Sequence, residues 1–263
     1  MPADFTYEMY GTLLDACRES DYAFLTVREY LAADALPERF VVLRHDVDRK
    51  PDNALDFARI EAERDVASTY YVRTVPDTFD PEVICEIDRL GHEIGYHYED
   101  LDRADGDVTA ARRSFGAHLA KLRSLVDVDT VCMHGNPLTP HDNREMWNSG
   151  DGLAAHDLAG EAYLSMDFTD VHYYSDTGRT WRDGPLKIKD HTVGGDAKTT
   201  QVDTTPDLVD LITSRSDGRF CLLTHPDRWT ATLPERVFET TFDAAKNTAK
   251  YGLQALRSLP VGP

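Results

Sequence analysis

The sequence predicts one α/β domain whose parallel strands curl into a closed or nearly closed, distorted (β/α) barrel, with peripheral helices at both termini. Three observations carry this. Short uninterrupted apolar runs recur along the chain, the mark of strands buried on both faces. Between them lie segments whose apolar residues repeat at helical spacing, so strands alternate with helices as in a parallel sheet wrapped by helices. Five of the apolar runs also end in acid, imidazole or guanidinium groups, and a parallel α/β fold builds its site at the C-terminal ends of its strands.

The first element is a helical pattern over 7–18, expected to cover one end of the barrel, within an N-terminal extension of residues 1–35 ahead of a barrel domain over 36–263. Phe40, Val41, Val42 and Leu43 form the first buried run. A helix over 51–66 comes next; it opens on Pro51, whose missing N–H is harmless in a first turn, and puts Leu55, Ala58 and Ala62 on one stripe. Thr69 to Val72 is rich in β-formers. Pro81 opens a helix with Val83, Ile84, Ile87 and Leu90 on one face and Gly91 at its end. A strand is expected over 93–98. Beyond it Val108, Ala111, Phe115, Leu119 and Leu122 recur at helical spacing, succeeded by a strand over 130–133. The stretch from about 137 to 200 reads as long loops and short irregular strands. Thr205 and Pro206 start a short helix to 212, Phe220 to Leu223 is the last strand, and Phe238 to Leu253 line a C-terminal helix.

Composition narrows the functions available. There are 33 Asp and 14 Glu against 21 Arg and 7 Lys, for a formal net charge of -19. Self-repulsion on this scale excludes a sequence-independent nucleic-acid binder, since no basic stripe exists to neutralise phosphates, and it disfavours an anionic membrane surface. No apolar run reaches the about 18 residues of a membrane span. The first residues lack the basic and apolar regions of a secretion signal, so a cytoplasmic setting is expected, and the Asp-rich, Lys-poor balance suits a salt-filled one. Cys17, Cys85, Cys132 and Cys221 are far apart and read as free thiols, three of them buried. Neither a glycine-rich phosphate loop nor a Gly-x-Ser-x-Gly elbow is present.

The residues just past each strand supply the candidate chemistry. The first run continues as Arg44, His45, Asp46, Val47 and Asp48. On an extended segment Asp46 and Asp48 point to one side and His45 to the other, and two carboxylates in one site suit a metal ligand beside a general base. The plainer reading is a loop pair capping the helix at Pro51. Arg73 lies just past the second strand, while His97, Glu99 and Asp100 end the third. His134, Gly135, Asn136 and Pro137 end the fourth, and His225 the last. His97 and His134 with a nearby Asp make a mixed nitrogen and oxygen set for zinc or another divalent ion, leaving His225 as a general acid. The remaining histidines, His92 among them at the opposite end of its strand, read as structural or surface groups.

The order of these motifs resembles the polysaccharide deacetylases, the NodB-homology group of carbohydrate esterase family 4. The resemblance rests on the His-Asp-x-Asp strand end at 45–48, on Ser68-Thr69-Tyr70-Tyr71-Val72, on Gly91-His92-Glu93-Ile94-Gly95-Tyr96-His97 and on Leu223-Thr224-His225. It covers about residues 40–135 and the strand near 225. The family's second metal-binding His falls on Leu101, its Asp-Asp pair is opened to Asp-x-Asp, and its Arg-x-Pro-Tyr motif is replaced near His134. One repair makes Asp48, His97 and His134 the metal ligands; another uses Glu99 or Asp100; a third is a site without metal. The resemblance implies a divalent-metal-dependent hydrolase of amide bonds, N-deacetylating an acetamido sugar or glycan precursor, with zinc as the expected cofactor. It implies Asp46 as general base and His225 as the group that protonates the leaving amine. Arg73, Asn136, Asp176, Arg179 and Trp181 are expected to bind a carbohydrate or other small amide, Asp176 alternatively orienting His225. The alternatives are a metal-free amidohydrolase and a silent carbohydrate- or partner-binding domain.

Overall fold

The computed structural model describes residues 3–148, 152–184, 187, 189–194, 197–215 and 218–231. Helix α1 (Tyr7–Glu19) starts at Thr6, whose hydroxyl accepts from the Met9 N–H at 3.3 Å. Strand β1 (Ala23–Leu25) leads into α2 (Val27–Ala32), held at its start by a reciprocal capping box between Thr26 and Glu29. Then β2 (Phe40–Val47), α3 (Pro51–Ala62), β3 (Thr69–Val72), α4 (Pro81–Arg89) and β4 (Glu93–Tyr98) alternate. Next come the short α5 (Asp100–Arg103), α6 (Val108–Arg123) and β5 (Thr130–Met133). Two short 3₁₀ helices (Asn143–Trp147 and Gly152–His156) lead to β6 (Gly160–Glu161) and β7 (His172–Ser175); α7 (Thr205–Ser214) and β8 (Arg219–Thr224) follow, and a 3₁₀ turn (Pro226–Arg228) is the last described element.

All pairings are parallel, in the order β6-β5-β4-β3-β2-β8-β7, with β1 also paired to β2. The sheet curls into a partial barrel with the helices outside, the distorted (β/α) architecture expected from the alternation. It is open on one side: among the described residues β6 and β7 form no ladder with each other.

Strand β2 holds the centre of this arrangement. It is buried at all eight positions and runs past its four apolar residues, because pairing with β3 begins only at Arg44, opposite Thr69. β8 pairs along its other edge from Phe40 to His45. The polar motif therefore lies on strand rather than on a loop. Helix α3 stops at Ala62, four residues short of the expected 66; Asp65 takes a left-handed φ of 54° and turns the chain into β3. Strands β1 and β6 and helices α2 and α5 are too short to announce themselves by periodicity, and β7, as long as β3 and β5, lacks their β-branched residues. The expected C-terminal helix over 238–253 lies outside the described residues. No described helix is long and apolar enough to cross a membrane.

The barrel interior is closely filled. Tyr71 lies across β4, where a Cβ on Gly95 would come within 2.3 Å of its ring, and its hydroxyl meets Thr130 at 3.1 Å. Outside the barrel, Tyr10 of α1 stacks on Phe57 of α3 with ring centroids 4.0 Å apart. The same tyrosine hydroxyl donates to Glu61, a fully buried carboxylate that also accepts from Ser68 Oγ at 2.6 Å and Tyr70 Oη at 2.7 Å and pairs with His45 Nε2 at 2.8 Å. His45 reaches across to Thr224 of β8 through Nδ1 at 2.6 Å. One carboxylate thus ties α1, β2, α3 and β3 together behind the strand ends.

Candidate metal centre and active site

Alternate residues of β2 set the site. His45 faces outward to Glu61, whereas Asp46 and Asp48 face the barrel mouth, as the period-two reading requires. His97, at the end of β4, stands with Nε2 3.4 Å from Asp48 Oδ1 and 3.7 Å from Asp46 Oδ2. Its Nδ1 is held by the carbonyl of Cys132 at 3.0 Å, which leaves Nε2 as the donor atom for an ion. His134, just past β5, brings Nε2 to 3.5 Å from the same Asp48 Oδ1. His225, just past β8, places Nε2 4.0 Å from Asp48 Oδ2. One carboxylate therefore sits among three imidazoles. Burial alone would raise the Asp48 carboxyl, but His134, His97 and His225 more than offset it and hold it well below the usual range.

Asp48 Oδ1 faces both imidazoles, while among the described residues the three whose ligand atoms all lie within 4.8 Å of one another are Asp46, His97 and Cys132. Asp48 Oδ1 is buried and accepts no hydrogen bond, although buried carboxylate oxygens rarely go without one. In a tetrahedral zinc site, donors at about 2.0–2.2 Å from the ion stand about 3.4 Å from each other, close to the spacing of Asp48 from both imidazoles.

Glu99 occupies a different place from the ligand position open to it in the sequence. Its carboxylate meets Arg73 at 2.7 Å, Arg103 at 2.6 Å and His134 Nδ1 at 3.0 Å. It stands behind His134, pairing with the ring nitrogen turned away from Asp48, where supporting carboxylates commonly lie behind metal ligands. Asp100 is fully buried on the other side of β4, bonded to Tyr96, Ser114 and His118. Leu101, at the family's second histidine position, is core: α5 begins at Asp100 and carries it inward.

The remaining candidates divide. Asp176 is buried and accepts from His225 through both Nδ1 at 2.6 Å and the backbone N–H at 2.9 Å. Burial and Arg228 work against a proton on His225, but Asp176 and Asp48 prevail and raise its pKa above the usual imidazole value. Asp176 therefore orients His225 and, fully enclosed, offers no surface to a substrate. Arg73 sits at the site but is engaged by Glu99 and by the Asp48 carbonyl at 3.2 Å. Asn136 is half-buried in the loop after His134 and accepts from the Leu138 N–H at 2.9 Å. Arg179 lies in the turn after Asp176 and donates to the Arg228 carbonyl. Trp181 is a correction: it is 0% exposed, stacks near Phe5 and Trp229, and gives its indole N–H to Thr205 at 3.0 Å. Its face belongs to the core and cannot receive a sugar ring.

Two interior residues escaped sequence reasoning. Arg44 is fully buried with NH2 3.7 Å from Asp46 Oδ2, its guanidinium 4.4 Å above the Tyr163 ring. Cys132 lies opposite His97 in the β4–β5 register. The period of two along a strand is the signal that finds both, since Arg44 precedes Asp46 and Cys132 precedes His134 by two residues.

No protein-family model matches the sequence, and no curated protein does. Among solved structures the chain is similar to peptidoglycan deacetylase PdaC from Bacillus subtilis, at 13% identity over 80% of this chain and 96% of that one, TM-score 0.37. It is similar to a family 4 carbohydrate esterase from Bacillus anthracis, at 12% identity over 95% and 91% of the two chains, TM-score 0.38. It is also similar to a family 4 pseudoenzyme from Bacillus anthracis, at 13% identity over 78% of this chain and 60% of that one, TM-score 0.39.

Proposed function

We propose that this protein is a divalent-metal-dependent hydrolase of carbon–nitrogen amide bonds that removes the acetyl group from an acetamido sugar or glycan precursor. The observation that carries the reading is the Asp48 carboxylate set between His97 and His134, with a second carboxylate and an Asp-backed imidazole beside it. Asp48, His97 and His134 would hold the ion, and their mixed donor set suits zinc. When bound, the ion supplies Lewis-acid polarisation of the acyl carbonyl and lowers the pKa of water.

The protein's own groups supply the proton transfers. Asp46 is 4% exposed, and its Oδ1 accepts no hydrogen bond, so that oxygen is available to take a proton from water as general base. His225 presents Nε2 to the site because Nδ1 is fixed on Asp176, and its raised pKa favours the protonated ring that a general acid needs. The two groups thus sit in environments suited to opposite roles, one carboxylate accepting and one imidazolium donating to the leaving amine.

The test is acetate release from N-acetylated glucosamine oligomers by the purified, zinc-loaded chain, with metal content measured alongside. Release that falls by about 100-fold or more, on the order expected for loss of a general base, in Asp46→Asn supports the reading. A wild-type protein that binds no divalent ion, or activity that survives both Asp46→Asn and His134→Ala, overturns it.

A further inference from the structure

We propose that Cys132 gives the barrel a second, thiol-containing cation set, Asp46–His97–Cys132, which lies below the Asp48–His97–His134 set and shares His97 with it. One ligand atom from each of these three buried residues lies within 4.8 Å of the others. The β4–β5 register places Cys132 directly opposite His97, so thiol and imidazole project to the same side of the sheet. Independently, Asp46 Oδ1, at 4% residue exposure, is left without a hydrogen-bond partner.

The two sets exclude each other. His97 Nδ1 is occupied by the Cys132 carbonyl at 3.0 Å, so Nε2 alone serves an ion in either place. Softness decides between them: thiolate sulfur favours thiophilic ions, whereas the outer imidazole–carboxylate set is indifferent to that property. The Arg44 guanidinium, 3.7 Å from Asp46 Oδ2, opposes a cation held by the carboxylate alone; a thiolate in the set reduces that opposition. On binding, the Cys132 S–H bond breaks, its proton leaves to solvent and a sulfur–metal bond forms, with no change of oxidation state. An inner ion also engages Asp46, the base of the proposed reaction, so cadmium in this set is inhibitory; that consequence alone rests on the proposed function.

The test is optical titration of the full chain with cadmium and with cobalt(II), in a Cys85→Ser background because Cys85 is the exposed thiol. A thiolate-to-metal charge-transfer band is expected with both ions, absent from Cys132→Ser and retained in His134→Ala. Cys132→Ser is nearly isosteric, and unchanged far-ultraviolet circular dichroism shows that it folds. Ions that bind without the band, or a band that persists in Cys132→Ser, overturn the inner set and leave the outer one standing. A chain that binds neither ion, nor zinc, overturns both.

Discussion

At the scale of single residues, what matters is which partners each polar group already has. Glu99 has three, and one of them is the His134 ring. Glu99→Gln is expected to weaken divalent-ion affinity about 10- to 100-fold, as for other supporting carboxylates, measured by competition with a chromophoric chelator. Asp176, with Asp48, raises the His225 pKa against burial and Arg228. Asp176→Asn removes that support, so the His225 pKa falls and the alkaline limb of the pH–rate profile moves to lower pH. An unmoved limb would show that His225 is not the acid seen by that profile. The convergence of Asp46, Asp48, His97, His134 and His225 was legible because each ends a strand and strand ends share one face. The saturation of Glu99 and the burial of Trp181 were not, since each depends on partners distant in sequence: Arg73 in the one case, Phe5 and Thr205 in the other.

At the scale of elements, Glu61 links the N-terminal helix to the strands of the site. The carboxyl is lowered from its usual 4.5 to about 2: burial alone would raise it, but His45, His92 and Ser68 outweigh burial. A depressed carboxyl contributes stability that is present above its unfolded pKa and lost on acidification. The expected loss therefore runs as pH falls from about 4.5 towards 2, and urea unfolding across that window should show Glu61→Gln with a shallower dependence than the wild type. Gly95 is the second structural requirement. Adding a Cβ forces Tyr71 off β4, and Gly95→Ala is expected to cost about 1–3 kcal/mol, an overpacking penalty, read from the shift in denaturant midpoint. Most long elements were legible from periodicity, β4 and β5 at both ends. The edge strands β6 and β7 were not: two residues cannot display a period, and His172–Ser175 lacks the β-branched residues that mark β3 and β5, so tertiary pairing makes them strands.

At the scale of the whole molecule, the net charge of -19 acts on every compact state. Added salt screens that repulsion, so the thermal midpoint is expected to rise between low and molar salt, and a flat response would show that the acidic residues are already compensated locally. The architecture was legible because alternating strands and helices admit few topologies; the opening in the barrel was not, since nothing in the spacing says whether the last pair of edges meets.

That opening has a kinetic meaning. A closed barrel must break ladders on both sides to release any strand, but among the described residues β6 and β7 are each held from one side only, whereas β3 and β2 lie between partners. Loss of structure has a defined place to begin, at the free margins, and a defined last redoubt in the strand that carries Asp46. Amide deuteration should therefore proceed inward from both margins, with His45 and Asp46 among the slowest sites to exchange.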